Sequence, residues 1–222
     1  MPGPVLRSLT IADTSQSWAD AGFAVATSPA GQGIANIGGI EVRLAGNSTP
    51  GVDRRGITGW AFLGIDDGSI DGLPTLAAAE VGTLNQPEQS NPNGAVHLDH
   101  VVMASPDLER TMEALRMNGF EPRRTREIPN SEPPQRQVFF WAGETIIELV
   151  GHVEPTGHGP ASLWGLAITT DDLDRTALEL GHLLGDVKPA VQAGRHIATL
   201  RTKELDISTP IAFMTPHESS LV

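Results

Sequence analysis

The sequence predicts an α+β fold assembled from repeated βαβββ units. Two stretches carry this prediction: 97–111 and 162–176 each run from an apolar strand, through an Asp-containing turn, into a helix. A fainter third copy occupies the first 90 residues, with a strand, a short helix and two further strands in the same order. A repeated supersecondary unit predicts the architecture more strongly than any single element does.

The two clear units start their helices at comparable residues. Asp107 aligns with Asp172 when the two units are compared, and apolar residues follow each of them at helical spacing. An acidic residue at this position complements the positive end of a helix dipole. Gly119 and Gly185 are expected to end the two helices as left-handed caps.

Two strands are expected to close each unit, with a short glycine-containing hairpin between those of the first. These strands are 136–141, 145–150, 195–200 and 210–215. We therefore expect a degenerate N-terminal βαβββ-like unit at 1–90 and a two-unit domain at 95–217. The two units of that domain are 95–152 and 162–217.

Composition excludes several function classes. The net charge is −12, from 15 basic and 27 acidic residues, so nucleic-acid and membrane partners are not expected. The chain has no cysteine, which excludes disulfides and thiolate chemistry. It has no apolar run long enough to span a bilayer and no signal-peptide pattern, so we predict a cytoplasmic protein. The basic cluster Arg123–Arg126 is interpreted as a solvated loop.

Three segments of the first clear unit resemble the vicinal oxygen chelate superfamily, which includes glyoxalases, bleomycin-resistance proteins and extradiol dioxygenases. They are the strand entry Leu98–Val102, the helix start Pro106–Leu108 and the strand Ile146–Val150. The resemblance covers 97–215 well and 5–67 weakly. It implies curved mixed sheets around a cleft, and a divalent metal held by residues of the first and last strand of each unit.

The resemblance places two metal ligands in the first unit, at His100 and Glu148. The second unit departs from this pattern. When the two units are aligned, Gly165 and Phe213 occupy the positions of His100 and Glu148, and neither side chain can bind a metal. His196 could supply a third ligand if its side chain faces the cleft, and a second subunit is another source. Iron, manganese, zinc and nickel all suit an imidazole and a carboxylate.

Other residues are expected to line an apolar, partly aromatic pocket. The candidate substrate-binding residues are Gln137, Phe139, Trp141, Arg201 and Phe213. Glu148 is the candidate catalytic residue, because a carboxylate inside an apolar strand is costly unless it is paired or bound. Without a metal, Glu148 would be a general base or the partner of an arginine.

Three functional hypotheses follow. The first is a glyoxalase-like enzyme, a metal-assisted lyase, isomerase or dioxygenase that acts on a small oxygenated molecule. The second is a metal-free protein that binds or sequesters a small molecule, as in the bleomycin-resistance branch. The third places an anion site in the N-terminal unit, where Arg43 stands at the position of Glu148. A homodimer is one expected assembly.

Overall fold

The computed structural model describes residues 3–46, 55–78 and 90–216. The domain boundaries predicted above include 1–2, 79–89 and 217, which lie outside the described residues. The division at residues 90–95 therefore stays a prediction.

The described residues form fifteen strands and three α-helices. The strands are β1 (Val5–Ile11), β2 (Val25–Thr27), β3 (Gly33–Ile37), β4 (Ile40–Leu44), β5 (Ile57–Leu63), β6 (Gly68–Ile70), β7 (Leu73–Ala77), β8 (Ala95–Ser105), β9 (Pro122–Glu127), β10 (Gln135–Ala142), β11 (Thr145–His152), β12 (Ser162–Thr170), β13 (Lys188–Pro189), β14 (His196–Thr199) and β15 (Ile211–Met214). The helices are α1 (Ser15–Asp20), α2 (Leu108–Met117) and α3 (Leu173–Leu180).

These elements confirm the α+β fold of repeated βαβββ units, with an additional degenerate unit at the N-terminus. Unit 1 runs from β1 to β4, unit 3 from β8 to β11, and unit 4 from β12 to β15, each with one helix after its first strand. Unit 2 is the shortened set β5 to β7. In the three full units the first strand pairs in parallel with the last.

All the strands belong to one curved mixed sheet. Its main path is β2-β3-β4-β1-β5-β12-β8-β11-β10-β9, and the rest of unit 4 joins through β15 beside β12. Units 3 and 4 meet along the antiparallel pair β8–β12. This pairing matters for the site, because it places side chains from both units on the same stretch of sheet.

The helix ends agree with the sequence at three of four positions. The side chain of Asp107 accepts a hydrogen bond from the backbone of Arg110, and Asp172 caps α3 in the same way. Gly119 follows α2 with a φ of 85°. The cap predicted at Gly185 is wrong: α3 ends at Leu180, and the left-handed Gly181 leads into a short 3-10 helix.

The arginine-rich segment 123–126 is also corrected by the structure. It belongs to strand β9 and is not a loop, because its backbone pairs antiparallel with β10. β9 is the last strand on its side of the sheet. Edge strands commonly carry charged side chains, which discourage pairing with another chain.

Buried polar contacts tie the units together. Asp13, which follows β1, accepts hydrogen bonds from the backbone nitrogen and Oγ of Ser208, at 2.8 and 2.5 Å, and from Trp18 Nε1 at 3.2 Å. This contact joins unit 1 to unit 4. Arg110 of α2 binds Asp71 of unit 2 through Nε at 2.6 Å and Nη2 at 3.0 Å, which joins units 2 and 3.

Membrane insertion by a helix has no support in the described ranges, where every helix is too short or too polar to cross a bilayer.

We predict that Asp13→Ala lowers the free energy of unfolding by on the order of 3 kcal/mol, because it leaves the buried donors of Ser208 and Trp18 without an acceptor. Urea denaturation at neutral pH measures the change. Asp20→Ala is the matched control, since Asp20 is exposed and accepts one hydrogen bond from Gln16. Equal losses in the two variants would show that Asp13 does not hold units 1 and 4 together.

Candidate functional site

A β-bulge in β8 shapes the candidate site. His100 lies opposite Ala167 of β12, while Leu98 lies opposite the next residue, Ile168, so Asp99 is the extra residue. A bulge re-aims side chains that strict alternation would send to opposite faces. The Asp99 carboxylate therefore reaches the ring of its neighbour His100. The same bulge puts His97, opposite Thr169, on the face of His100, although residues three apart on a regular strand lie on opposite faces.

His100 is held at both ring nitrogens by carboxylates. Its Nδ1 lies 2.8 Å from Asp99 Oδ2, and its Nε2 lies 3.2 Å from Glu148 Oε2. The side chains of His100 and Glu148 are 14% and 12% exposed. The predicted convergence of His100 and Glu148 is thus present in the structure, as a direct contact between two mostly buried groups.

Glu148 is held in turn from strands β10 and β9. Gln137 Nε2 donates a short hydrogen bond to Glu148 Oε1. The other end of the same amide, Gln137 Oε1, accepts from Arg126 Nε at 2.9 Å and also from its Nη2. Because donor and acceptor are both engaged, the Gln137 amide has one orientation, and it links the arginine to the carboxylate.

Asp99 has a buried cation on its other side. Arg195 Nη2 lies 2.6 Å from Asp99 Oδ1, and Arg195 Nε donates to the carbonyl of Thr215 at 2.9 Å. The Arg195 side chain is 2% exposed. Burial by itself raises the pKa of Asp99, but hydrogen bonds from His100 and Arg195 and their charges outweigh it and hold this pKa well below its usual range.

These contacts form one chain across units 3 and 4, in which every link is a hydrogen bond except the charge contact between His100 and Glu148. It starts just before β14, crosses β8, β11 and β10, and ends on β9. Its members in order are Arg195, Asp99, His100, Glu148, Gln137 and Arg126. Each member is fixed by its neighbours, so the chain pre-organises the ring of His100 and the carboxylate of Glu148.

Two aromatic side chains lie on the same face of the sheet as His100 and Glu148. Phe139 lies directly opposite Glu148, and Trp141 lies opposite Ile146, which is itself opposite His100. Directly paired residues project to the same side of a sheet. We call this side the cleft face: it carries His100, Glu148, Gln137, Phe139 and Trp141. Trp141 is 45% exposed there.

Phe213 does not line the cleft face, contrary to the sequence-based expectation. It is fully buried, and its ring lies 6.1 Å from that of Phe23 in a stacked arrangement. Its neighbour Ala212 stands on the cleft face, because Ala212 pairs with Ala167 and Ala167 pairs with His100. Alternation along β15 then directs Phe213 into the core.

His196 and Arg201 also lie apart from the site. His196 is exposed and shares the side of Ala198, which pairs with Phe213, so it projects away from the cleft face. Arg201 is exposed at the start of the short 3-10 helix Thr202–Leu205. Neither side chain meets His100 or Glu148, and the third metal ligand proposed at His196 is therefore not supplied.

Sequence reasoning missed Asp99, Arg195 and the role of Arg126. The signal for Asp99 was present, since a carboxylate in an apolar strand demands a partner just as Glu148 does. The period-two spacing of Arg124 and Arg126 was a weak sign of a strand face. Arg195 follows a turn nearly 100 residues after Asp99, and nothing local in the sequence pairs them.

Two depressions of the surface lie elsewhere. One of about 400 Å³ is lined by residues of unit 1 including Thr14, Gln32 and Leu44. Another of about 320 Å³ lies around Asp71 and Arg110. Neither depression includes His100 or Glu148.

Comparisons with known proteins add a fold assignment. No family profile matches the sequence, and no curated protein matches it. Among solved structures, a mutant of 4-hydroxymandelate synthase from Streptomyces coelicolor is similar with a TM-score of 0.69 and 12% identity, over 97% of this chain and 93% of that one. A halotolerant catechol dioxygenase gives 0.60 and 10%, over 96% and 86%. A variant of homoprotocatechuate 2,3-dioxygenase from B. fuscum gives 0.57 and 16%, over 97% and 73%.

The chain has the vicinal oxygen chelate fold. At these identities the similarity concerns architecture, and one fold hosts many chemistries. Within the vicinal oxygen chelate fold, activity must be argued from the residues on the cleft face.

The residues present do not fit the three-ligand metal centre typical of metalloenzymes. Within 3–46, 55–78 and 90–216, no three His, Cys, Asp or Glu side chains converge on one point. The neighbours of His100 in unit 4 are Ala167 and, beyond it, Ala212, which offer no donor. Both nitrogens of His100 already bind carboxylates. We therefore derive no step through a metal.

We predict that Asp99→Asn lowers the free energy of unfolding by about 3–5 kcal/mol at pH 7, because it leaves the buried Arg195 guanidinium without its counter-charge. The folded-state pKa of Asp99 lies below its unfolded value of about 3.9. Its stabilising effect is therefore complete well above pH 4 and is lost as the pH falls further.

The measurement is urea denaturation of both proteins between pH 7 and pH 3. The difference in free energy of unfolding between wild type and Asp99→Asn should narrow below about pH 4. In that range Asp99 of the wild type takes up a proton when the protein unfolds. Asp186→Asn, at an exposed loop position, provides a control with the same change of charge. A difference that stays constant over this range would contradict the pairing of Asp99 with Arg195.

Proposed function

We propose that the protein is an enzyme that acts on a small oxygenated organic molecule by proton transfer, with His100 and Glu148 as the proton-transfer pair. The observation that carries the proposal is the contact of His100 Nε2 with Glu148 Oε2 at 3.2 Å on the cleft face. A positioned acid or base of this kind typically contributes about 10²–10⁴-fold to a reaction rate. The reaction class is that of isomerases and lyases that remove a proton beside a carbonyl.

The two carboxylates beside His100 constrain where the ring carries its protons. An ionised carboxylate accepts only, so the bond from His100 to Asp99 needs a proton on Nδ1. Nε2 of the same ring lies 3.2 Å from Glu148 Oε2, which is within the reach of a proton transfer. His100 and Glu148 therefore act together as the pair that takes up and returns a proton.

Each neighbour then has a definable task. Asp99 fixes the ring of His100, and Gln137 fixes the carboxylate of Glu148. Phe139 and Trp141 provide apolar surface for the substrate on the same face. Glu148 in its ionised form accepts a proton from a substrate carbon, and the protonated pair returns a proton to the substrate. Partial burial strengthens these interactions relative to water.

We predict that Glu148→Gln lowers proton exchange by about 10²–10⁴-fold, because the amide keeps the shape but cannot act as the base. Wild-type protein in deuterated buffer is incubated separately with 2-oxobutyrate, methylglyoxal and lactate, and nuclear magnetic resonance follows deuterium entering the carbon beside each oxygen function. Glu144→Gln is the matched control. Glu144 is exposed in the hairpin turn before β11, and its replacement removes the same charge.

The expected result is exchange with at least one compound, lost in Glu148→Gln and unchanged in Glu144→Gln. Exchange that survives in Glu148→Gln would overturn the proposal. Binding of these compounds without any exchange would favour the sequestering protein considered from the sequence. A melting temperature raised by manganese or zinc in wild type and not in His100→Ala would instead favour the metal-assisted enzyme.

A further inference from the structure

The edge strand β9 places two arginines on the cleft face. Arg126 lies directly opposite Gln137, and Arg124 lies directly opposite Phe139. Since Phe139 is itself opposite Glu148, all four side chains project to the same side of the sheet. Arg124 is exposed and Arg126 is half-buried. The cleft face therefore ends in a pair of arginines on a strand that lies about two strand spacings, or about 10 Å, from β11.

Neither guanidinium has a carboxylate partner in the part of the chain that the structure describes. Arg126 donates to the neutral amide of Gln137. Arg136, on the adjacent strand, behaves differently: it lies on the opposite face, where Nη1 meets Glu109 of α2 at 3.2 Å. The comparison shows that an arginine on the helix-covered face is neutralised within the fold, whereas the two on the cleft face keep their charge available.

The local charge balance is opposite to that of the whole chain. The protein carries −12 overall. On the cleft face the negative charge of Asp99 is matched by Arg195, and the single carboxylate Glu148 stands against Arg124 and Arg126. A positive region on a negatively charged molecule concentrates anions at that place and repels them elsewhere.

We propose that Arg124 and Arg126 bind an anionic group of the substrate, a carboxylate or a phosphate, and hold its reactive carbon near His100 and Glu148. This inference rests on the proposed function and names the substrate class of the same site. Guanidinium groups bind carboxylates and phosphates through charge-assisted, often bidentate hydrogen bonds. Phe139, between Arg124 and Glu148 in the cross-strand row, supplies the apolar surface that the body of such a substrate would cover.

Three probes test the anion site. Benzoate and benzamide have the same ring and nearly the same size, but only benzoate is charged. Inorganic phosphate tests the other anion. Binding is measured by titration calorimetry and by shifts of the arginine side-chain resonances, at low salt and at about 0.5 M salt, where exposed charges are largely screened.

Wild type should bind benzoate or phosphate at least about tenfold more tightly than benzamide, and salt should weaken the binding. Arg124→Gln should weaken anion binding about tenfold, in line with the loss of one charged hydrogen bond. Arg126→Lys, which keeps the charge but loses the planar fork, should weaken it less. Arg136→Gln is the matched control, because it removes the same charge from the opposite face and should leave binding unchanged.

Either of two results with the wild type would overturn the inference: benzamide binding as tightly as both benzoate and phosphate, or no binding of either anion at millimolar concentration. Equal weakening by Arg124→Gln and Arg136→Gln would also overturn it, since net charge alone would then explain the effect. Glu148→Gln separates this inference from the proposed function. It should bind the anion at least as well as wild type while losing proton exchange, so either idea can fail without the other.

Discussion

The imidazole of His100, held between two carboxylates, is the constraint on which the rest of the site depends. An imidazole bound on one side only would rotate, and a carboxylate at this depth without a donor would be costly. Asp99 and Glu148 hold the ring from both sides, and the ring gives each carboxylate a partner. At one end of the chain of contacts Arg195 supplies a buried positive charge beside Asp99, and at the other end Arg126 holds the Gln137 amide that binds Glu148.

The fold serves this arrangement by joining two repeated units along their first strands. The antiparallel pair β8–β12 brings residues of units 3 and 4 onto one concave face, and unit 4 contributes Arg195 from the approach to β14. The helices lie on the other face, where Arg136 is neutralised by Glu109. One side of the sheet is therefore used for packing, and the other keeps its polar and aromatic side chains accessible to a small molecule.

Much of the architecture was predictable because it repeats. Asp107 and Asp172 begin their helices as their matching positions indicated, and His100 meets Glu148 as the resemblance implied. The prediction of which side chains share a face failed where a single residue shifts the register of a strand. The bulge at Asp99 turns the Asp99 carboxylate towards His100, and in β15 the residue on the cleft face is Ala212 and not Phe213. The sequence around Arg195 contains no pattern that indicates its distant partner Asp99.

The position of Arg195 has a consequence for dissecting the chain. A fragment that ends after the first clear repeat would retain the histidine and both of its carboxylates, yet it would lack the cation that neutralises Asp99. Such a fragment would expose an uncompensated negative charge at the strand that normally pairs with β12. The two halves are therefore not interchangeable, because the half that carries His100 depends on the other half for the cation that neutralises Asp99.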